Sequence, residues 1–288
     1  MLIADSWKDY KLIDCANGEK IEKWCDIVLC RPDPQVIWHE MSDEKIWKNV
    51  DARYQRSSSG GGKWEYFKKL PEAWQIKYKD LTFNVKPMGF KHTGIFPEQA
   101  VNWDFIMDKI KNAKRDIKVL NLFAYTGGAT IAAAKAGASV VHVDAAKGMV
   151  LWAKDNAVSS DLKDAPIRYI VDDVIKFVER EIRRGNKYDA IIMDPPTYGR
   201  GPNGEVWKFD DELWGLIDRC AKLLSDNPLF MIVNSYTSSV SSTVVSNVLN
   251  LSIVKKFGGY VTNDEIALPI ESSNLVLPCG AATRWIAD

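Results

Sequence analysis

From about residue 115 onward, short apolar, β-branched runs alternate with longer segments of helical spacing. "KVLNLFA" (118–124), "SVVHVD" (139–144), "IRYIVDD" (167–173), "YDAIIMD" (188–194) and "LFMIVN" (229–234) read as strands. Between them, "GATIAAAKAG" (128–137), "AKGMVLWAKDNAVSS" (146–160), "VIKFVEREIRRG" (174–185) and segments near 210–224 and 240–250 read as helices. Two final strands are expected over roughly 252–262 and 274–286. The strands lack a polar face, as they should when both faces of a sheet are covered. The alternation of strand and helix therefore predicts an α/β, Rossmann-like fold, a mostly parallel doubly wound sheet with a C-terminal antiparallel strand pair.

Before residue 90 the helical period is scarce. "DIVLCRP" (26–32), "QVIWH" (35–39), "WQIKY" (74–78) and "LTFNVK" (81–86) are strand-like, the last two forming a hairpin broken at "KD". "SSSGGGK" (57–63) reads as a loop. The chain thus divides into a small β-rich module, residues 1–90, and an α/β domain, residues 91–288.

Composition narrows the class without choosing a function. In 288 residues, 46% are hydrophobic and 26% charged, an ordinary soluble balance. No apolar run reaches the roughly 20 residues of a membrane span, and the polar start is unlike a secretory signal, so a cytoplasmic location is expected. The five cysteines form no C-x-x-C pair and the three histidines fall in no ligand spacing; free thiols and no metal are expected. Net charge is zero, yet residues 51–92 hold nine Lys or Arg against four acids, interleaved with Tyr54, Trp64, Tyr66, Phe67, Trp74, Tyr78 and Phe83. That mixture suits a nucleic-acid surface, and it equally suits a solvated strand face over an aromatic core.

Chemistry is expected outside the carboxyl ends of the strands. There the sequence places "AYTGG" (124–128), Asp144, Asp172 and Asp173, "DPPTYGRG" (194–201) and "NSYTS" (234–238). Gly127 and Gly128 allow a sharp turn and close approach of a ligand. Asp144 lies 16 residues beyond Gly128, near the offset at which an acid holds a ribose diol. The first glycine of the G-x-G-x-x-G dinucleotide fingerprint is missing, which argues against a nicotinamide dehydrogenase and for a nucleoside cofactor without phosphates. S-adenosylmethionine meets that description, with Asp144 on its ribose and Asp172 or Asp173 on its adenine amine. Pro195 and Pro196 have no N–H and fixed φ, so with Asp194 they present a rigid ring of acceptors. Such a ring can hold the hydrogens of a planar amine and turn its lone pair toward a methyl group, with Tyr198 stacked on the base.

"NLFAYTGG", "VDDV" and "MDPPTYGRG", with "GFKHTGIFPEQA" at 89–100, resemble the motifs of class I S-adenosylmethionine-dependent methyltransferases. They are most similar to the family containing the bacterial large-subunit ribosomal RNA methyltransferases that make 5-methylcytidine or 7-methylguanosine. The resemblance covers about residues 74–288. It implies that Phe96 and Gln99 line the cofactor pocket, that Tyr125, Thr126 and Gly127 contact the methionine portion, that Asp144 holds the ribose and Asp173 the adenine. Ala124, Ala145, Asp172 and Asp194 are counted with that pocket. Asp194, Pro195, Pro196 and Tyr198 would face the substrate, and Arg200, Ser235 and Tyr236 would bind it. One departure is chemical: cytosine C5 needs a cysteine added at C6, and neither 194–201 nor 233–239 contains one. The expected activity is therefore methyl transfer to a base in RNA, ribosomal RNA first, at nitrogen in preference to cytosine C5. A methyltransferase for a small-molecule or protein amine and a non-catalytic RNA-binding module are the alternatives.

Overall fold

The computed structural model describes residues 1–57, 61–200, 206–236 and 240–288, leaving aside the side chain of Arg200. Two compact units are present, one of Met1–Ala100 with Ile266–Cys279 and one of Val101–Glu265 with Gly280–Asp288.

In the first unit, β1 (Leu2–Ile3) pairs in parallel with Ile266–Ala267. A five-stranded sheet has the order β2 (Tyr10–Ala16), β3 (Glu19–Trp24), β4 (Ile27–Pro32), β5 (Ala52–Arg56) and β6 (Gly62–Tyr66). Asn17 and Gly18, with φ of 54° and 77°, make the tight β2–β3 turn that needs two left-handed residues. The short helix α1 (Glu44–Lys48) is capped by Asp43, whose carboxylate accepts the Lys45 N–H. The expected hairpin is present as β7 (Trp74–Tyr78) and β8 (Leu81–Val85). The expected strand over 35–39 is not. Asp33 folds that segment back, its carboxylate accepting the Gln35 N–H at 3.0 Å and its carbonyl the Val36 N–H at 3.2 Å, so no ladder can form.

At the centre of this unit is a fully buried carboxylate. Glu22 accepts from Arg31 Nε at 2.5 Å, from Arg31 Nη2 at 2.6 Å and from the Tyr10 hydroxyl at 2.8 Å. Burial alone would raise its pKa; the Arg31 and Lys20 cations outweigh burial and lower it to about 2.

The second unit carries the doubly wound sheet. Its strands lie in the order β16, β17, β15, β12, β9, β10, β11. Five are parallel: β9 (Lys118–Leu122), β10 (Ser139–Asp144), β11 (Ile167–Val171), β12 (Ala190–Met193) and β15 (Phe230–Ser235). β17 (Val276–Ile286) is antiparallel to β15 and lies beside β16 (Tyr260–Pro269). The far ends of β16 and β17 are counted with the first unit. Successive residues enter opposite cores, as the two-residue period of a strand requires. Leu120, Leu122, Ile191, Met193, Met231 and Val233 pack with helices α5 (Val174–Arg183), α6 (Phe209–Ala221) and α7 (Ser242–Leu249). Val119, Ala190, Ile192, Phe230 and Ile232 pack with α2 (Ala100–Ala113) and α3 (Gly128–Lys135). Helix α4 (Lys147–Ser159) connects β10 to β11. A small antiparallel pair, β13 (Tyr198–Arg200) and β14 (Val206–Lys208), precedes α6. Among the described residues no helix is long and apolar enough to cross a membrane.

Two further segments depart from the sequence pattern. The segment expected as a strand over 252–262 begins as a π turn, Asn250–Val254, and a last helical turn, Lys255–Phe257. Gly258 and Gly259, both at positive φ, end it and release the chain into β16 at Tyr260. Helix α2, to which the pattern assigns no element, starts directly after the turn Pro97–Gln99.

Replacing Glu22 by Gln should destabilise the protein by about 3–5 kcal/mol, because Arg31 keeps a buried charge without its counter-ion. In the wild type the depressed carboxylate contributes its full stabilisation above about pH 4.5 and loses it as pH falls toward 2. Thermal melts of both proteins between pH 2 and 7 should converge at the acid end.

Candidate active site at the sheet edge

Strand order reverses on either side of β9, whose neighbours are β10 and β12. The crevice beyond the carboxyl end of β9 is where a doubly wound sheet binds ligands. Four hydrogen bonds stitch the strand ends along that edge. Asp172 N–H donates to the Asp144 carbonyl at 3.1 Å, Ala124 N–H to Val143 at 3.0 Å and Asp194 N–H to Leu122 at 3.4 Å. The Thr197 hydroxyl donates to the Tyr236 carbonyl at 3.0 Å. Asp172, Asp144, the 124–128 turn, Asp194 and Ser235–Tyr236 are thereby brought to one edge in that order.

The turn after β9 is unusual. Phe123, Tyr125 and Gly127 have φ of 53°, 49° and 86°. Two non-glycine residues in the left-handed region cost roughly 1–2 kcal/mol each and need outside support. Asp144 supplies it. Its Oδ2 accepts the Tyr125 N–H and its Oδ1 the Ala146 N–H, both at 2.8 Å. Burial raises the Asp144 pKa, and these two bonds oppose the rise. Helix α4 braces the turn from beneath, Asn156 Nδ2 donating to the Thr126 carbonyl at 2.9 Å. Ala124 and Thr126 are buried, whereas Ala145 is exposed.

The two glycines serve packing. A Cβ on Gly127 would lie 2.9 Å from Ala153 Cβ, and one on Gly128 would lie 2.8 Å from Cζ2 of the buried Trp103. In the Cβ direction both glycines therefore face protein atoms, so it is packing that excludes a side chain there. His142 is a core residue; its Nδ1 pairs with Thr130 Oγ1 at 2.9 Å and burial lowers its pKa to about 3.

At β11, Asp173 caps α5, its Oδ1 accepting the Lys176 N–H at 2.9 Å. Asp172 accepts the Asp173 N–H at 2.9 Å and pairs with Arg180. Each acid thus has a structural task besides any ligand.

The elbow after β12 runs Asp194, Pro195, Pro196, Thr197. Pro195 is buried and Pro196 exposed. The expectation that both proline carbonyls face a target needs correction, because the Pro196 carbonyl accepts the Trp207 indole N–H at 2.6 Å. The Thr197 carbonyl accepts Phe209 N–H at 3.0 Å. Tyr198 is 51% exposed at the start of β13. Arg200 has its backbone in β13, and its side chain lies outside the described residues. Ser235 is buried at the end of β15, and the Tyr236 ring lies over Gly280, where a Cβ would come within 2.8 Å of it. Beneath them, Arg284 Nε and Nη2 donate to Asn102 Oδ1 at 3.0 and 2.7 Å, and Asn102 Nδ2 donates to Asn234 Oδ1 at 2.9 Å. Sequence reasoning passed over Trp207, Trp103, Asn156 and Asn102, which sit in no motif.

Phe96 and Gln99 belong to the first unit. Gln99 is buried in the turn Pro97–Gln99, and Phe96 meets His92 edge to face at 5.3 Å. Among the described residues no group of three or more His, Cys, Asp or Glu could hold a metal ion.

Residues 43–227 match the family model described as S-adenosylmethionine-dependent methyltransferase. The chain is 29% identical over 192 residues to the ribosomal RNA large subunit methyltransferase K/L of Shewanella frigidimarina, covering 66% of this chain and 25% of that protein. With the protein of the same name from Pseudoalteromonas atlantica, identity is 30% over 204 residues, 70% of this chain and 27% of the relative. The chain thus spans about a quarter of the length of these curated relatives. A crystal structure of a SAM-dependent methyltransferase from Agrobacterium tumefaciens superimposes with a TM-score of 0.95 at 36% identity, covering 100% of this chain and 93% of the other. The chain belongs to the S-adenosylmethionine-dependent methyltransferases.

Proposed function

We propose that this chain transfers the methyl group of S-adenosylmethionine to a nitrogen of a base in RNA, with ribosomal RNA as the leading substrate. The observation that carries this reading is the clamped Asp194–Pro195–Pro196 elbow beside a left-handed turn that Asp144 holds in place. The donor set suits the cofactor. Asp144 spends one lone pair of each oxygen on a backbone N–H and keeps the others for a ribose diol. Asp173 spends one oxygen on its helix cap, and its other oxygen is the acceptor we assign to the adenine amine, with Asp172 beside it. Tyr125, Thr126 and Gly127 flank the methionine portion, and Ala124 and Ala145 are assigned to the same pocket. When bound, the cofactor supplies an electrophilic methyl group on sulfur.

The residues around it have little acid–base work to do. Asp194 and the Pro195 carbonyl accept the hydrogens of a planar amine, which orients its lone pair; Tyr198 stacks on the base, and Arg200, Ser235 and Tyr236 hold the surrounding nucleotide. Methylation at cytosine C5 would need a thiolate. Cys220 is fully buried in α6, and burial raises its pKa, as it raises those of Cys15 and Cys279. Nitrogen is therefore the better target.

Two observations favour RNA. The relatives named above are ribosomal RNA methyltransferases by name. In the β-rich module, which we assign to residues 1–90, Tyr54, Tyr78 and Phe83 are core, whereas Tyr66, Phe67 and Phe90 are 54%, 54% and 45% exposed. Lys63, Lys69 and Lys86 are exposed nearby in sequence, and Trp64 Nε1 donates to the Met88 carbonyl at 2.8 Å, tying β6 to the 86–90 segment. Exposed rings among lysines suit unpaired bases and phosphates.

Asp144→Ala should weaken S-adenosylmethionine binding about 10- to 100-fold by calorimetry, the loss of charge-assisted hydrogen bonds; wild-type affinity would remove the ribose role. Asp194→Ala should lower methyl transfer by at least ~10²-fold at saturating S-adenosylmethionine, the cost of a misplaced nucleophile. Mass spectrometry of digested ribosomal RNA from cells with and without the gene tests the substrate. One methylated nucleotide should disappear, and an unchanged digest would favour a small-molecule or protein amine.

A further inference from the structure

Trp207 touches both halves of the edge. Its indole N–H donates to the Pro196 carbonyl at 2.6 Å, and its ring lies 5.0 Å from Phe123, tilted by 54°. Phe123 opens the left-handed turn assigned to the cofactor, and Pro196 closes the elbow assigned to the target. One rigid side chain, only 9% exposed, therefore spans the two loops. Its own position is fixed by the β13–β14 ladder, where Trp207 stands opposite Gly199. That ladder is short and starts two residues after Pro196, so the strand that carries Trp207 is itself anchored to the elbow. Phe209, two residues on, takes the next carbonyl of the elbow through its N–H.

We infer that Trp207 is a positioning residue, setting the separation between the methyl-donor turn and the amine-accepting elbow and withdrawing the Pro196 carbonyl from the substrate. The acceptors proposed for the target are the Asp194 carboxylate and the Pro195 carbonyl, two groups on adjacent residues. Two acceptors suit the two hydrogens of an exocyclic amine; a third on the same turn would offer an alternative, misaligned pose. The aromatic contact carries the second half of the role. Phe123 has positive φ, and the indole packed on it holds that residue where Tyr125 can reach Asp144.

This inference rests on the proposed function for its kinetic consequence, and its test separates the two. Trp207→Phe keeps an aromatic ring against Phe123 and deletes the N–H. With S-adenosylmethionine and ribosomal RNA from cells lacking the gene, the variant should show kcat reduced ~10²-fold with KM for RNA within a few-fold. Melting temperature and cofactor affinity should match the wild type. Equal kcat in variant and wild type would overturn the role, and so would a loss of kcat that merely follows a loss of fold. A wild type inactive on this RNA would count against the RNA reading alone. The positioning role is then decided by hydrogen exchange with S-adenosylhomocysteine as the probe. In the wild type the ligand should slow exchange at amides 123–128 and also at 197–199. In Trp207→Phe the first protection should persist and the second should vanish; protection of both segments in the variant would refute the link.

Discussion

The carboxylate of Asp144 is the constraint on which the edge depends. A turn with three left-handed residues in five positions does not hold itself, because two of them carry side chains that disfavour that conformation. Two charge-assisted bonds, donated by the N–H groups of Tyr125 and Ala146 to one half-buried carboxylate, tie the turn after β9 to the end of β10. The parallel register between those strands is what puts the acid within reach of a residue 19 positions earlier. The sheet therefore serves first as a ruler, and its hydrophobic faces keep that ruler straight.

From this anchor, order spreads sideways. Asn156 and Ala153 hold the turn from α4, Trp103 covers Gly128 from α2, and Trp207 reaches from β14 to Phe123 and Pro196. The rings and amides that do this are buried, so their hydrogen bonds are made away from competing water. Methyl transfer asks chiefly for alignment, and alignment is what such a frame supplies. The same frame explains why protonation chemistry is scarce here. His142 is neutral in the core, and burial pushes the Cys220 thiol up.

Where the sequence pattern and the structure part company, long-range contacts are the cause. "QVIWH" has the composition of a strand, yet Asp33 bends it and Trp38 instead donates its indole N–H to the Cys15 carbonyl at 2.6 Å. The apolar segment after residue 250 has the composition of a strand too, and helix α7 runs on through it until Gly258 and Gly259 permit a reversal. The glycines of "AYTGG" were legible as a turn, but the reason for each is a partner elsewhere: Ala153 for Gly127 and Trp103 for Gly128.

By itself, the sequence determined the alternation of buried strands and helices, and with it the edge at which acids, glycines and the Asp-Pro-Pro elbow must meet. These are consequences of local spacing, since each strand end follows directly from the apolar run before it. Only the tertiary structure decided which acceptors are still available there. The Pro196 carbonyl is taken by an indole eleven residues away, and Asp173 is partly spent on its own helix. Such commitments arise between groups that no motif links, because a hydrogen bond depends on where two atoms stand in space and not on how far apart they lie along the chain.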